Sequence, residues 1–390
     1  MTALMNEVVV ATQDLLSPRE VRALILMGGY GRGEGGVVVS EGKGRPHNNL
    51  DFLLIGNDLR DSAQEHLMRQ FRERVAPLIR KYDVQIELSG TTARKLVHAP
   101  SLVMWYDMRY GHKTIWGDER FVASLRRFEA DRIPAWDIRN LLVNRGTALV
   151  TNDQFIAMNM LDADARRLIV KQAMKAIIGY GDALLFFLGD YHWSYLEKQR
   201  RMQVRKDVAP EFRALYDEAV EFRFLPDYAR YADRDLAAWM AELWQHLEPL
   251  HRACEARRLG MPRLDWKDYP DRALRNEWLA DAGSLRAWIK KGINVLRSSP
   301  YPGTGSGMAR LGYRVLARRQ VFPLIFPIVA YRLEDVTLRQ FAARVLGAES
   351  SALPALRRAY LRLWSDVGDP GFAYILGQWP ALLEPGCGEP

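Results

Sequence analysis

Glycines after one apolar run and acids on the next two hold the chemistry this chain offers. The run Ala23–Met27 stops at Gly28-Gly29-Tyr30-Gly31-Arg32-Gly33-Glu34. Glycines at a strand end let backbone N–H groups approach an anion closely, and a helix start beyond them favours phosphate. The same glycines also suit a tight strand-to-helix turn that binds nothing. The second run is Asn49-Leu50-Asp51-Phe52-Leu53-Leu54-Ile55, which holds the Asp51 carboxylate at a sheet end, where a metal ligand is rigid. Asp83-Val84-Gln85-Ile86-Glu87-Leu88 then alternates polar and apolar, so Asp83 and Glu87 share the polar face of a half-buried strand. Carboxylates converging beside a phosphate cradle suit magnesium, which takes one or two protein carboxylates plus substrate phosphates. Two such ions about 3.5–4 Å apart would clamp the attacking and leaving oxygens of an in-line displacement. Without convergence, Asp51 and Glu87 are ordinary solvent-facing strand carboxylates.

The elements that must position these residues alternate through the N-terminal third. Glu7–Leu16 reads as a helix and Ala23–Met27 and Leu50–Ile55 as buried strands. Leu59–Tyr82 is a long amphipathic helix with Leu67, Phe71, Val75 and Leu78 on one face and a kink expected at Pro77. Thr91–Val97 and Ser101–Met108 read as short helices and His112–Ile115 as a last strand. From about Pro134 the periodicity is almost entirely helical, over Ile133–Leu149, Ala163–Leu188, Trp193–Val204, Pro210–Phe222, Arg234–Arg258 with a break at Pro249, Asp271–Leu296, Leu333–Leu346 and Pro354–Trp364. The glycine- and serine-rich stretch Ser298–Gly307 is the best linker. The expected fold is therefore α+β, a small mixed-sheet domain followed by a large all-helical region. Its expected divisions are 1–128, a helical domain 129–297 that covers the cleft, and a helical appendage 308–390.

Composition bounds the partners. A chain of 390 residues with 48% hydrophobic and 26% charged side chains has apolar mass for more than one core. Cys254 and Cys387 can form neither a disulfide framework nor a metal site by spacing. No secretory signal is visible, and the longest uncharged apolar run, Val321–Tyr331, falls short of the roughly 20 residues of a membrane span and carries Pro323 and Pro327. A cytoplasmic protein with no membrane partner is expected. The net charge of +8 favours anionic partners in general, without a basic tract of the kind that marks nucleic-acid tails.

The glycine motif resembles the opening of the bacterial uridylyltransferases that modify the nitrogen-signalling PII protein. More broadly, it is similar to the Gly-Gly/Ser…Asp-x-Asp pattern of the DNA polymerase β nucleotidyltransferase superfamily. Ile115-Trp116-Gly117-Asp118 is similar to the leucine-tyrosine-glycine-aspartate ending of many small nucleotidyltransferase domains. The resemblance covers residues 21–125. It implies a nucleotidyltransferase domain with Asp51 and Glu87 as catalytic and metal-binding carboxylates. Asn49 and Asp83 are further metal ligands in that reading, and Gly28, Gly29 and Arg32 lie at the phosphates of a nucleoside triphosphate. Arg32 is equally read as a structural surface arginine. Three departures stand out. The first carboxylate of the family's pair falls on Asn49, which can coordinate but brings no charge. Nineteen residues separate Gly29 from Asn49, about twice the family spacing, so Val37–Pro46 is expected as an inserted hairpin or loop. The hydrolase and regulatory domains of the uridylyltransferases have no counterpart, so a role on PII is not implied.

Downstream, Arg167, Lys171, Lys175 and Asp182 share one stripe of the helix Ala163–Leu188, with Met174, Ile177, Leu184 and Phe187 on the opposite one. Such a stripe is ordinarily a solvated face. In related aminoglycoside nucleotidyltransferases the helical domain covers the cleft, which would bring Lys171 and Lys175 to the triphosphate, with Asp182 as a candidate base. Tyr180, Tyr191, Trp193 and Tyr195 suit nucleobase stacking or, more simply, helix packing, and His112 and His192 read as structural. The resemblance thus implies magnesium-assisted transfer of a nucleoside monophosphate from an NTP to a hydroxyl, on a small molecule or protein rather than RNA. The alternative, motivated by Asn49, is a catalytically impaired nucleotidyltransferase fold acting as a nucleotide-binding or scaffold protein.

Overall fold

The structure is a computed structural model that describes residues 2–40, 43–279, 318–331, 333–367 and 369–384, with 289 and 293. The expected linker Ser298–Gly307, the limits at 297 and 308, the helical pattern beyond Leu279 and Cys387 lie outside the described residues. The chain forms two compact units, one of residues 1–138 and 188–227, the other of 139–187 and 228–390. They do not follow the three consecutive segments expected from sequence, because residues 188–227 pack with the N-terminal unit.

The first unit is built on a four-stranded mixed sheet in the order β5-β4-β1-β6, with β1 Val21–Leu26, β4 Leu50–Gly56, β5 Ile86–Thr92 and β6 Lys113–Gly117. β1 runs antiparallel to both β4 and β6, whereas β4 and β5 are parallel. A parallel pair needs a long crossover, which the 22-residue helix α3, Asp61–Tyr82, supplies without interruption at Pro77. Period-two alternation splits the apolar side chains between the two faces. Leu24, Leu26, Leu50, Phe52, Leu54, Ile86 and Leu88 pack in one core with Phe71 and Val75 of α3 and Val8 of the N-terminal helix Thr2–Thr12. Ala23, Ile25, Leu53 and Ile55 pack in the other, with Leu96, Met108 and Phe128. Each fully buried leucine or isoleucine contributes about 1.5–3 kcal/mol, so both faces are needed to pin the register. The expected insertion is a two-stranded hairpin, β2 Val37–Ser40 paired antiparallel with β3 Lys43–Pro46.

The alternation assigned to Asp83–Leu88 is corrected at its start. Asp83 adopts the left-handed conformation (φ 49°) as the cap of α3, and the strand begins only at Ile86. The glycine motif opens as a single helical turn, α2, Gly28–Gly31. Helix α4 covers Ala93–His98, with Thr92 accepting from the Lys95 amide, and α5 covers Val103–Tyr110.

The second unit is helical among its described residues. Helix α7, Ala163–Phe187, packs on α10, Leu236–Arg258, which runs through Pro249 without the expected break. Arg318–Ala330 is also one helix, although it contains Pro323 and Pro327. Its residues Val321–Ala330 are buried around both prolines, and tertiary packing overrides the breaker signal. Arg357 satisfies its last carbonyls, donating Nε to Val329 O at 3.2 Å and Nη2 to Ala330 O at 3.4 Å. Among the described residues no helix is long and apolar enough to cross a membrane.

Candidate active site

A cavity of about 260 Å³ in the first unit is lined by Gly28, Arg32, Asp51, Glu87, Met104 and Asp107, among others. Strand geometry brings the two predicted acids together. Asp51 of β4 and Glu87 of β5 are register partners in the parallel pair, so their side chains leave the same face of the sheet, with backbones about 4.8 Å apart. That face is the one bearing Leu53 and Ile55, two and four residues beyond Asp51. Alternation turns Ile86 and Leu88 away and leaves Glu87 and Ser89 at the cavity.

The glycine turn is fitted to Asp51. Met27 N donates to the Asp51 carbonyl at 2.8 Å, which ties the exit of β1 to β4. Gly28 has φ +64°, and a Cβ there would lie 2.7 Å from Asp51 Oδ2. Both the backbone and the carboxylate therefore demand glycine. A Cβ on Gly29 would lie 2.6 Å from Arg223 Nη2 and 3.0 Å from the Glu34 carbonyl. Tyr30 fastens the base of the hairpin insertion: its hydroxyl donates to Gly36 O at 2.7 Å and accepts from Asn48 N at 3.2 Å. Burial raises the Tyr30 phenol above its ordinary pKa, so it stays a neutral donor.

Arg32 is not the surface arginine that the sequence also allowed, since its side chain is 5% exposed. It donates Nε to the Gly28 carbonyl at 3.1 Å, Nη1 to the Trp193 carbonyl and Nη2 to Asp107 Oδ2 at 3.3 Å. Burial works against its charge, but Asp107 and the tyrosines around it hold the guanidinium above its usual pKa. Asp107 also accepts from Tyr191 Oη at 3.1 Å. Arg32 and Asp107 thus form a buried brace between the glycine turn, α5 and the segment 191–195.

Residues 188–227 complete the surround. Glu34 is buried and accepts from Ser194 Oγ and, at 2.7 Å, from Tyr195 N. The Tyr195 ring is faced by three cations, Arg32 at 4.8 Å, Lys198 at 4.3 Å and Arg223 at 4.0 Å. Lys198 is fully buried, and the Nε of Arg223 is buried with no hydrogen-bond partner among the described residues. Sequence reasoning missed Asp107, Glu34, Lys198 and Arg223 as parts of this site. Glu34 closes the glycine motif and basic residues cluster over Lys198–Lys206, but nothing in their spacing ties the two together across some 165 residues.

The remaining predicted residues are placed elsewhere or differently. Asn49 donates its side-chain amide to Glu87 Oε1. Asp83 does not line the cavity; its side chain is 85% exposed and paired with Arg45 Nη1 at 3.4 Å. Lys171 and Lys175 lie half-buried on α7 in the second unit, and Asp182 is buried there, so that stripe is not a wholly solvated face. Tyr180 packs in the same unit, its hydroxyl 3.0 Å from that of Tyr331. His112 and His192 are structural: each Nδ1 meets a backbone group, at 2.9 Å and 3.1 Å, and burial lowers both pKa values. Among the described residues no three His, Cys, Asp or Glu side chains group closely enough to hold a metal ion by themselves. Two carboxylates on one sheet face, opening beside a glycine turn, still match the needs of a single magnesium ion that draws its other ligands from phosphate and water.

No family model and no curated protein matches the chain. Among solved structures it is similar to spectinomycin adenyltransferase AAD(9) from Enterococcus faecialis, determined with ATP and spectinomycin. The two are 15% identical, with a TM-score of 0.37, over 64% of this chain and 99% of that one. At that level of overlap the likeness bears on neither fold nor activity.

Proposed function

We propose that the first unit transfers a nucleoside monophosphate from a nucleoside triphosphate to a hydroxyl acceptor. One observation carries the reading: Gly28 rests directly against Asp51, and Asp51 shares its sheet face and cavity with Glu87. In this reading the amides of Gly28 and Gly29 lie along the phosphates, and Arg32 and Asp107 hold the turn in place. Asp51 and Glu87 would hold magnesium, which when bound supplies neutralisation of the phosphate charge. The acceptor hydroxyl attacks the α-phosphorus, the bond to the β-phosphate oxygen breaks, pyrophosphate leaves, and Glu87 takes the hydroxyl proton. Positioning and charge supply the rate, since the protein forms no bond of its own. A small molecule or protein acceptor fits a chain without a basic tract better than RNA does.

The Asn49 amide on Glu87 favours a second reading, in which the site binds nucleotide without turnover. The hydrogen bond occupies a carboxylate oxygen, and the amide supplies no charge for a second ion. Pyrophosphate release from labelled ATP, GTP, CTP and UTP with magnesium and candidate acceptors separates the two. For the enzyme, release falls roughly 100-fold or more in Asp51→Ala. Nucleotide binding that is unchanged in Asp51→Ala, with no release in either protein, discards the transferase. Asn49→Asp sharpens the result: a gain in release shows that the native site is limited by that one ligand.

A further inference from the structure

The second unit contains a cavity of its own, about 370 Å³, between the helices Ala135–Ala157, Arg318–Ala330 and Leu353–Asp366. One wall is aromatic. Phe322 meets Trp364 edge to face at 4.8 Å, and Tyr360 stacks near-parallel to Trp364 at 6.5 Å, so the indole is fixed in orientation. The facing wall is polar but uncharged: Asn140 and Asn144 stand one helical turn apart. Asn140 is oriented by Arg139, whose Nη2 donates to its Oδ1 at 3.3 Å. Asn144 and Trp364 are half-buried residues, and among the described residues neither the Asn144 amide nor the Trp364 indole N–H has a protein hydrogen-bond partner. Asp369 closes the rim, with Oδ1 accepting from Phe372 N at 2.8 Å.

We propose that this cavity binds a planar, amino-bearing heteroaromatic compound of nucleobase size. Donors and acceptors that line a cavity without protein partners are available to a ligand or to water. A planar carboxamide offers a donor and an acceptor side by side, matching the amino and ring-nitrogen edge of a base such as adenine. The indole supplies a stacking face and one further donor. The volume lies in the range of small-molecule sites. Among the described residues no lysine or arginine lines the cavity, and Asp369 brings negative charge, so the site selects a base or nucleoside against the same compound carrying phosphate. This separates it from the phosphate-directed cavity of the first unit.

Calorimetry on the full chain with adenosine, adenine and AMP tests the assignment. The expected result is binding of adenosine and adenine and about tenfold weaker binding of AMP. Asn144→Leu, which fills the cavity, should weaken adenosine about tenfold or more, and Trp364→Phe, which keeps the wall but removes the N–H, severalfold. Asp51→Ala should leave this binding unchanged. Melting curves establish that each variant is folded; should Asn144→Leu fail to fold, the conservative Trp364→Phe carries the test. The proposal is overturned by absence of binding at millimolar ligand, by binding indifferent to the folded variants, or by binding lost in Asp51→Ala.

Discussion

The two units bury polar groups in different ways. In the first, buried Arg32 and Glu34 direct their bonds mainly at backbone: the carbonyls of Gly28 and Trp193 and the amide of Tyr195. In the second, buried charges pair chiefly with side chains, within one helix or between helices, although Arg357 also donates to two carbonyls. Glu255 and Arg258 pair at 2.7 Å with side chains 0% and 3% exposed, and Glu255 also accepts from Tyr269 Oη at 2.8 Å. Arg139 pairs with Glu277, and Asp153 accepts from Trp244 Nε1 at 2.9 Å while pairing with Arg357. Charge aimed at backbone fixes the shape of a loop, whereas charge aimed at charge fixes which helix meets which. The first arrangement is what a cavity needs, and the second what a packed core tolerates only when every partner is present.

That contrast is broken most forcefully by removing one partner of a buried pair. Burial raises the Glu255 carboxyl, but Arg258, helped by His251 and Arg139, outweighs it and holds the group below the usual carboxylate range. Arg258→Met strands the anion and should cost about 3–5 kcal/mol of stability in urea unfolding. A loss below about 1 kcal/mol would place the pair with solvent-screened ones instead. In the first unit a comparable insult should act on chemistry. Gly28→Ala pushes a methyl group at Asp51 and strains a left-handed residue, and transfer activity should fall roughly 100-fold from misplacement of the carboxylate. Full activity in that variant would separate the glycine turn from the site.

The smallest effect is a pH dependence of the second unit. His251 is fully buried, with Nδ1 2.7 Å from Tyr331 Oη and, among the described residues, no partner at Nε2. Burial, partly countered by Glu255, lowers its pKa from 6.5 to about 4. The unfolded chain therefore binds a proton that the folded chain refuses. Stability is complete above pH 6.5 and declines as the pH falls towards 4, by about 2 kcal/mol on reaching pH ~5. Urea titrations at several pH values should show that slope, and it should flatten in His251→Gln. An unchanged slope would assign the acid sensitivity to other groups.

The parts of this molecule legible in the sequence were those set by local periodicity. Alternation along Ile86-Glu87-Leu88 placed Glu87 opposite the core, and the apolar run after Asp51 placed that acid at a strand entrance. The long gap before Asn49 announced the hairpin. Asp83 misled because alternation continues through a turn as readily as through a strand, and only φ 49° distinguishes the two. Pro249 misled because a proline lowers helix propensity locally, while burial over neighbouring turns outweighs it, as it also does at Pro323 and Pro327. The brace of Arg32, Asp107 and Trp193 stayed invisible for another reason. Its members are separated by 75 and 161 positions, and no pattern within one segment encodes such a meeting.

Tyr30 has one further consequence. Because its hydroxyl clasps Gly36 and Asn48, and His47 N donates to Gly36 O at 3.0 Å, the insertion is locked where it leaves and rejoins the domain. With the arm anchored at that clasp, trimming or exchanging it should cost the exposed Arg45–Asp83 pair while leaving Asp51 in place. The arm is the natural port for grafting a reporter peptide or a new recognition element onto this domain.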